Sequence, residues 1–100
     1  MDIINEEILI QIPYGTVSLV DETKQGEECI IFNLFVDEDY RNQGKGKHLV
    51  KLALNYIFKH GYKKAFVVVK NSELILFYKK LGFIQTCGKE MYYYFIGNKQ

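Results

Sequence analysis

The stretch Cys29-Ile30-Ile31-Phe32-Asn33-Leu34-Phe35-Val36, followed by Asp37-Glu38-Asp39-Tyr40 and then Arg41-Asn42-Gln43-Gly44-Lys45-Gly46-Lys47, decides how this chain folds. Its first eight residues are almost continuously apolar, which is how a strand buried on both faces and lying centrally in a sheet reads. The period then changes. From Gly46 to His60 the residues Leu49, Val50, Leu52, Ala53, Leu54, Tyr56, Ile57 and Phe58 make a wide apolar face, while Lys47, Lys51, Asn55 and Lys59 form one solvated stripe. Gly61 stands where a helix-ending glycine belongs. A buried strand, a glycine-containing turn and an amphipathic helix therefore follow one another.

Working outward, Lys64-Ala65-Phe66-Val67-Val68-Val69 reads as a second buried strand. Strand, helix and strand together make a right-handed crossover with parallel strands. Asn71-Ser72 caps a second helix from Glu73 to Leu81, with Leu74, Phe77, Tyr78 and Leu81 on one face and Gly82 at its end. Phe83-Ile84 and Met91 to Ile96 read as strands around a turn near Gly88. Toward the N-terminus, Ile8 to Ile12 and Thr16 to Val20 form a hairpin across Tyr14-Gly15, and Asp21 to Glu28 is a polar loop. The predicted order is β-β-β-α-β-α-β-β: an α/β (α+β-like) sheet, mostly antiparallel, with one central parallel crossover.

Composition narrows the function. The 100 residues fit one domain over 1–100, and the 48% hydrophobic content with 25% charged residues excludes disorder as the main state. Thirteen Lys plus Arg against 12 Asp plus Glu leave a net charge of +1, so the chain lacks the basic excess of a nucleic-acid binder. Cys29 and Cys87 are too few for a disulfide framework and are expected to be small buried residues. No apolar run approaches the roughly 18 residues of a membrane span. Met1 to Glu7 has no basic region of the kind that opens a signal peptide, so the cytosol is the expected compartment. His48 and His60 have no carboxylate or thiol cluster around them in sequence, so no metal is expected.

The segment Arg41 to Lys47 carries the chemistry. A strand end, a short glycine loop and a helix N-terminus offer unpaired N–H groups to an anion. A Walker A loop fails, because Arg41 and His48 stand where a glycine and a hydroxyl residue are required. A dinucleotide fingerprint fails at Leu49, where a third small residue is required. Two readings remain: a phosphate cradle with Arg41, Lys45 and Lys47 around it, or a plain strand-to-helix turn eased by Gly44 and Gly46.

Arg41-x-x-Gly44-x-Gly46, directly after the central strand, resembles the pyrophosphate loop (R/Q-x-x-G-x-G/A) of the GCN5-related N-acetyltransferases. A second motif of that family, Asn followed at fixed spacing by Tyr and then Gly-Phe, is matched by Asn71, Tyr78 and Gly82-Phe83. The two motifs stand in the family's order, one helix and one strand apart. The resemblance covers residues from about 29 to 96. It implies a co-substrate, acetyl-CoA or another short acyl-CoA, with the pyrophosphate on the backbone of Asn42, Gln43, Gly44, Lys45, Gly46 and Lys47. It implies a pantetheine arm along Leu34, Phe35 and Val36 and hydrogen-bonded by Asn71. It also implies a slot between splayed parallel strands, where Tyr78 protonates the departing thiolate. Apart from the resemblance, Asn71 reads as a helix cap and Tyr78 as a core tyrosine.

The family often places a glutamate on the central strand as general base. Glu28 is the nearest carboxylate here, on the parity of Ile30, Phe32 and Leu34, and reads equally as a solvated loop residue. The family's two early helices, one wall of its acceptor groove, are not visible before Cys29. An open acceptor side suits a protein lysine or N-terminus. It also suits closure by a second subunit, with Tyr92-Tyr93-Tyr94-Phe95 as an exposed edge strand in a homodimer. The resemblance thus implies an N-acetyltransferase acting on a primary amine. The competing readings are an acyl-CoA-binding module without turnover and a nucleic-acid partner.

Overall fold

The computed structural model describes residues 3–95; Ile96, read above as the end of the last strand, lies outside them. The described elements are β1 (Ile8–Ile12), β2 (Gly15–Val20), β3 (Glu28–Val36), α1 (Lys45–Lys59), β4 (Lys64–Val68), α2 (Glu73–Lys80), β5 (Ile84–Cys87) and β6 (Glu90–Tyr94). A 3-10 turn at Glu38–Tyr40 joins β3 to α1. The strands form one sheet in the order β1-β2-β3-β4-β6-β5. The β3–β4 pair is parallel and every other pair is antiparallel. This is the expected mixed α/β sheet with its central crossover.

Both helices lie on the same face. Val17, Leu19, Cys29, Ile31, Ala65, Val67 and Met91 point to that face and share one core with Leu49, Val50, Ala53, Leu54 and Ile57 of α1 and Tyr78 of α2. Burying side chains of this size contributes roughly 1.5–3 kcal/mol each. A Cβ added at Gly46 would stand 3.6 Å from Phe77 Cζ, so the start of α1 lies beside α2. At Gly15 the chains are closer still. A Cβ there would collide with the Phe35 carbonyl oxygen and stand 2.8 Å from Leu49 Cδ1, which is why this turn needs glycine.

The other face carries no helix among the described residues. Ile84, Tyr92, Phe66, Ile30 and Val20 lie in register across it from β5 to β2. The Phe66 and Tyr92 rings are 4.7 Å apart, and Lys64 Nζ sits 5.2 Å from the Tyr92 ring centre. The central strand is therefore not buried on both faces as its composition suggests: Cys29 and Ile31 are buried, while Ile30 and Phe32 are half-buried. Val68 of β4 is likewise exposed.

Two more expectations change. The Tyr92–Tyr94 segment belongs to β6, which lies between β4 and β5; its backbone is paired on both sides at Met91 and Tyr92, and the sheet edges are β1 and β5. Cys87 is exposed, as are all four residues of edge strand β5; Cys29 is buried as expected.

A buried carboxylate organises the polar loop. Asp21 Oδ1 accepts hydrogen bonds from Lys24 N–H (2.8 Å) and Thr23 Oγ1 (3.0 Å). Its Oδ2 accepts from Gly26 N–H (2.9 Å) and the Tyr62 hydroxyl (2.7 Å). The Tyr62 oxygen in turn accepts from Ile4 N–H at 2.9 Å, tying the N-terminal segment to the turn before β4.

Candidate functional site

The site begins where the parallel strands part. The β3–β4 pairing holds at Glu28–Lys64, Cys29–Ala65 and Ile30–Phe66 and then ends. Three residues later Asn33 takes φ 53°, in the left-handed region that asparagine tolerates. Against β2, Ser18 pairs with Phe32 but Thr16 pairs with Phe35, so β3 carries one extra residue there. This bulge reverses the parity of the strand. Cys29 and Ile31 face the helices before it, and Leu34 and Val36 after it. Glu28 is therefore not on the Leu34 face, as an unbroken strand would place it.

The parting leaves a slot of about 220 Å³ lined by Ile31, Phe32, Asn33, Leu34, Val67–Lys70, Leu74 and Tyr78. A wider cavity of about 530 Å³ adjoins it, with Leu34 and Leu74 as shared walls. Its other walls are Val36, Arg41, Asn42, Gly44–Lys47 and Phe77. Here lies the N-terminus of α1. Gly44, with φ 79°, is the cap, and a Cβ on it would meet nothing within 4 Å. The first helical bond runs from His48 N–H to the Gly44 carbonyl (3.1 Å), so the N–H groups of Lys45, Gly46 and Lys47 precede the ladder and need another acceptor. An anion at that point gains from these donors and from the helix dipole.

The side chains around the loop are partly engaged. Arg41 Nε donates to the Val36 carbonyl at 2.9 Å, and the guanidinium lies 5.6 Å from the centre of the exposed Phe35 ring. Lys45 Nζ rests 4.5 Å from the Tyr14 ring centre. Gln43 turns its amide to the Asp39 carbonyl (3.2 Å) and, unlike its neighbours, does not line the cavity.

Tyr78 enters the slot from α2 and is 4% exposed. Its ring is held edge-on between Phe77 (4.9 Å) and Phe83 (5.1 Å). Burial pushes its phenol up to about 12, since the charged form would lose its solvation. Phe83 N–H donates to the Tyr78 carbonyl (3.0 Å), which makes Phe83 part of the end of α2 rather than the start of β5.

The remaining candidates fall outside the cavities. Asn71 Oδ1 accepts from Glu73 N–H (3.1 Å) and Leu74 N–H (3.3 Å), the capping role read from the sequence. Glu28 stands at the start of β3 and pairs with Lys64 at 3.8 Å. Six residues separate it from Leu34, roughly 20 Å of extended chain. The sequence did not single out another carboxylate, Glu22. Glu22 borders a third cavity of about 280 Å³ with Val20, Ile30, Ile31, Phe32 and Val68, and that cavity shares Ile31, Phe32 and Val68 with the slot. Only the tertiary fold brings Glu22 there from its polar loop. Among the described residues no three His, Cys, Asp or Glu side chains gather as a metal site, and no helix is long and apolar enough to cross a membrane.

The sequence model described as the acetyltransferase (GNAT) family matches residues 6–83. An uncharacterized N-acetyltransferase of Methanocaldococcus jannaschii is 36% identical over 66 residues, which are 64% of this chain and 29% of that protein. The ribosomal protein bS18-alanine N-acetyltransferase of Escherichia coli K12 is 32% identical over 69 residues, 67% of this chain and 47% of that one. The chain thus spans less than half the length of these two relatives. Among solved structures, that of AtaTR bound with AcCoA superposes with a TM-score of 0.69 at 23% identity, over 86% of this chain and 66% of the other.

Proposed function

Because the chain belongs to the GNAT acetyltransferase family, we propose that the domain read over residues 1–100 transfers an acetyl group from acetyl-CoA to a primary amine by direct attack. One observation carries the reading. The anion-ready N-terminus of α1 and the buried hydroxyl-bearing Tyr78 line two neighbouring cavities that share the walls Leu34 and Leu74. A pyrophosphate at one end and a thioester at the other fit those two chemistries. The structural neighbour bound with AcCoA supports the choice of co-substrate.

In this proposal the N–H groups of Lys45, Gly46 and Lys47 hold the pyrophosphate, with Arg41 and Lys47 adding charge. Leu34 and Val36 flank the pantetheine arm, and Asn71 keeps α2 in place beneath it. The amine nitrogen bonds to the thioester carbon and the C–S bond breaks. The nitrogen loses its proton to water. The sulfur, left with the electron pair, takes the proton of Tyr78, and the phenolate regains a proton from water. A phenol near 12 looks too weak an acid for an ordinary thiolate, whose conjugate thiol lies near ~8.5. Taking the thiol out of water raises it too, and the hydrogen bond from Tyr78 strengthens as charge develops on sulfur.

The test is Tyr78→Phe. Turnover should fall by about 10²–10⁴-fold, the usual worth of a positioned proton donor, while acetyl-CoA still binds. Unchanged turnover would remove Tyr78 from the mechanism. A second reading, an acyl-CoA-binding module without turnover, is favoured by the engagement of Glu28 with Lys64 outside the slot. Acetyl-CoA binding by the unmodified chain with no acetyl transfer to any amine would establish it.

A further inference from the structure

We propose that the exposed edge of β1 pairs with the same edge of a second copy of this chain, antiparallel and about a two-fold axis at Ile10, so that two six-stranded sheets become one. This contact needs nothing from the acyltransferase reading, because only the sheet edge carries it.

The two edges of the sheet are not alike. β5 has four residues, and its ladder with β6 is interrupted by a register shift between Gln85 and Cys87. Short, irregular edges of this kind resist pairing with another chain. β1 is Ile8-Leu9-Ile10-Gln11-Ile12, in unbroken register with β2 and without a charge, a proline or a bulge. Those are the usual guards of an edge strand, and β1 has none of them within it.

Pairing with β2 decides which backbone groups are left over. The two-residue loop Pro13-Tyr14 closes on Ile12–Gly15 as a hydrogen-bonded pair, and bonded pairs alternate with non-bonded ones along an antiparallel ladder. Ile12, Ile10 and Ile8 thus turn their N–H and C=O groups to β2. Leu9 and Gln11 turn theirs outward, and neither makes another backbone bond among the described residues. A second β1 centred on Ile10 sets Leu9 opposite the second copy's Gln11, and Gln11 opposite its Leu9. Both are bonded pairs, so every outward N–H meets an outward C=O. The same register lays Ile8 against Ile12 and Ile10 against Ile10 on the helix side, where all three are only half-buried at the free edge.

Charge favours this partner in this direction. Glu6 and Glu7 precede β1. Tyr14 follows it, with Lys45 Nζ 4.5 Å from its ring centre. Antiparallel pairing brings the acidic start of each copy to the cationic end of the other, whereas parallel pairing sets Glu6 and Glu7 against themselves. Two-fold pairing also closes, since each copy uses its β1 edge once. One strand per copy makes a small interface, so the association is weak and depends on concentration.

The full chain is followed by sedimentation velocity from about 1 µM to about 1 mM, the range in which weak contacts fill, with amide hydrogen exchange recorded at both ends. The mass should rise from that of one 11.7 kDa chain toward that of two. The Leu9 and Gln11 amides should slow as the dimer fills, and the Ile10 amide, already bonded to β2, should change less. Leu9→Pro removes an outward donor and leaves the β2 ladder intact, so it should raise the dimer Kd at least about tenfold with an unchanged circular dichroism spectrum. Glu6→Lys with Glu7→Lys should raise Kd about three- to tenfold, and adding Lys45→Glu should restore it. A monomer throughout, a dimer whose Leu9 and Gln11 amides exchange as fast as in the monomer, or an unmoved Kd in folded Leu9→Pro would each overturn the proposal. Growth past the dimer into open chains would mean pairing of β1 with β5 and would overturn it too. If Leu9→Pro does not fold, the exchange rates of the unmodified chain decide.

Discussion

The two faces of the one sheet are built to different standards. On the helix side Val17, Leu19, Cys29, Ala65 and Met91 are all 0% exposed, while on the other side Val68 is 57% and Ile84 56% exposed. The residue types hardly differ. What differs is the second layer: α1 and α2 cover one face, and among the described residues nothing covers the other. An apolar side chain on the first face stabilises the fold, whereas one on the second keeps much of its surface exposed. Strand composition alone does not separate the two cases.

Adjacent residues of β3 make the sharpest comparison. Ile31 is 1% exposed under α1, and Ile30 is half-buried on the open face. Ile31→Ala should cost about 2–5 kcal/mol, as truncations in a packed core do. That lowers Tm by some 10 °C or more for a domain of this size. Ile30→Ala should cost only about 1 kcal/mol. Equal losses in thermal unfolding would mean that the open face is as closely packed as the other.

Asp21 offers the next largest effect, on the polar side of the same contrast. Burial opposes its ionisation, but the hydrogen bonds from Tyr62, Gly26, Thr23 and Lys24 outweigh burial and hold the carboxyl below its ordinary 3.8. A depressed folded-state value means that this stabilisation is fully present above about pH 4. It is lost as pH falls through the folded value. Asp21→Asn should therefore cost about 1–3 kcal/mol at neutral pH, the worth of a buried charged acceptor, and should flatten the acid limb of a stability–pH curve. An unchanged acid limb in the variant would show that other groups carry it.

The smallest effect belongs to Glu28 on the open face. Its pairing with Lys64 at 3.8 Å is partly solvated. Glu28→Gln should change stability by no more than ~1 kcal/mol. If Glu28 is outside the chemistry, as its place at the start of β3 suggests, kcat should also stay within a factor of about two. A large drop in kcat alone would return the base to Glu28.

Several of these features were legible in the sequence for definite reasons. The change from an apolar run to a helical period around Arg41–Lys47 placed the strand, loop and helix. The spacing of Asn71, Tyr78 and Gly82 placed α2 and its buried tyrosine. Other features were hidden by the same residues. In Ile30-Ile31-Phe32-Asn33-Leu34-Phe35-Val36 both parities are apolar, so an extra residue at Asn33 leaves no trace in the pattern, and the strand reads as buried on both faces. Glu22 is one polar residue in a polar loop; its place beside Phe32 and Val68 depends on contacts distant in sequence. The interior position of β6 depends on β5 turning outward to the edge, which hydrophobic periodicity does not encode.

The short parallel pairing has a consequence for motion. Only three residue pairs join β3 to β4, ending at Ile30–Phe66. Each half of the sheet is otherwise knit by antiparallel ladders between strands nearby in sequence, and parallel rungs are somewhat weaker than antiparallel ones. The line between β3 and β4 is thus the natural joint for sub-global opening, the low-free-energy excursion by which a native protein exchanges its amide hydrogens. A long ligand lying along that joint would act as a splint. Under the proposed function, the co-substrate would hold the two halves together for as long as it stays bound.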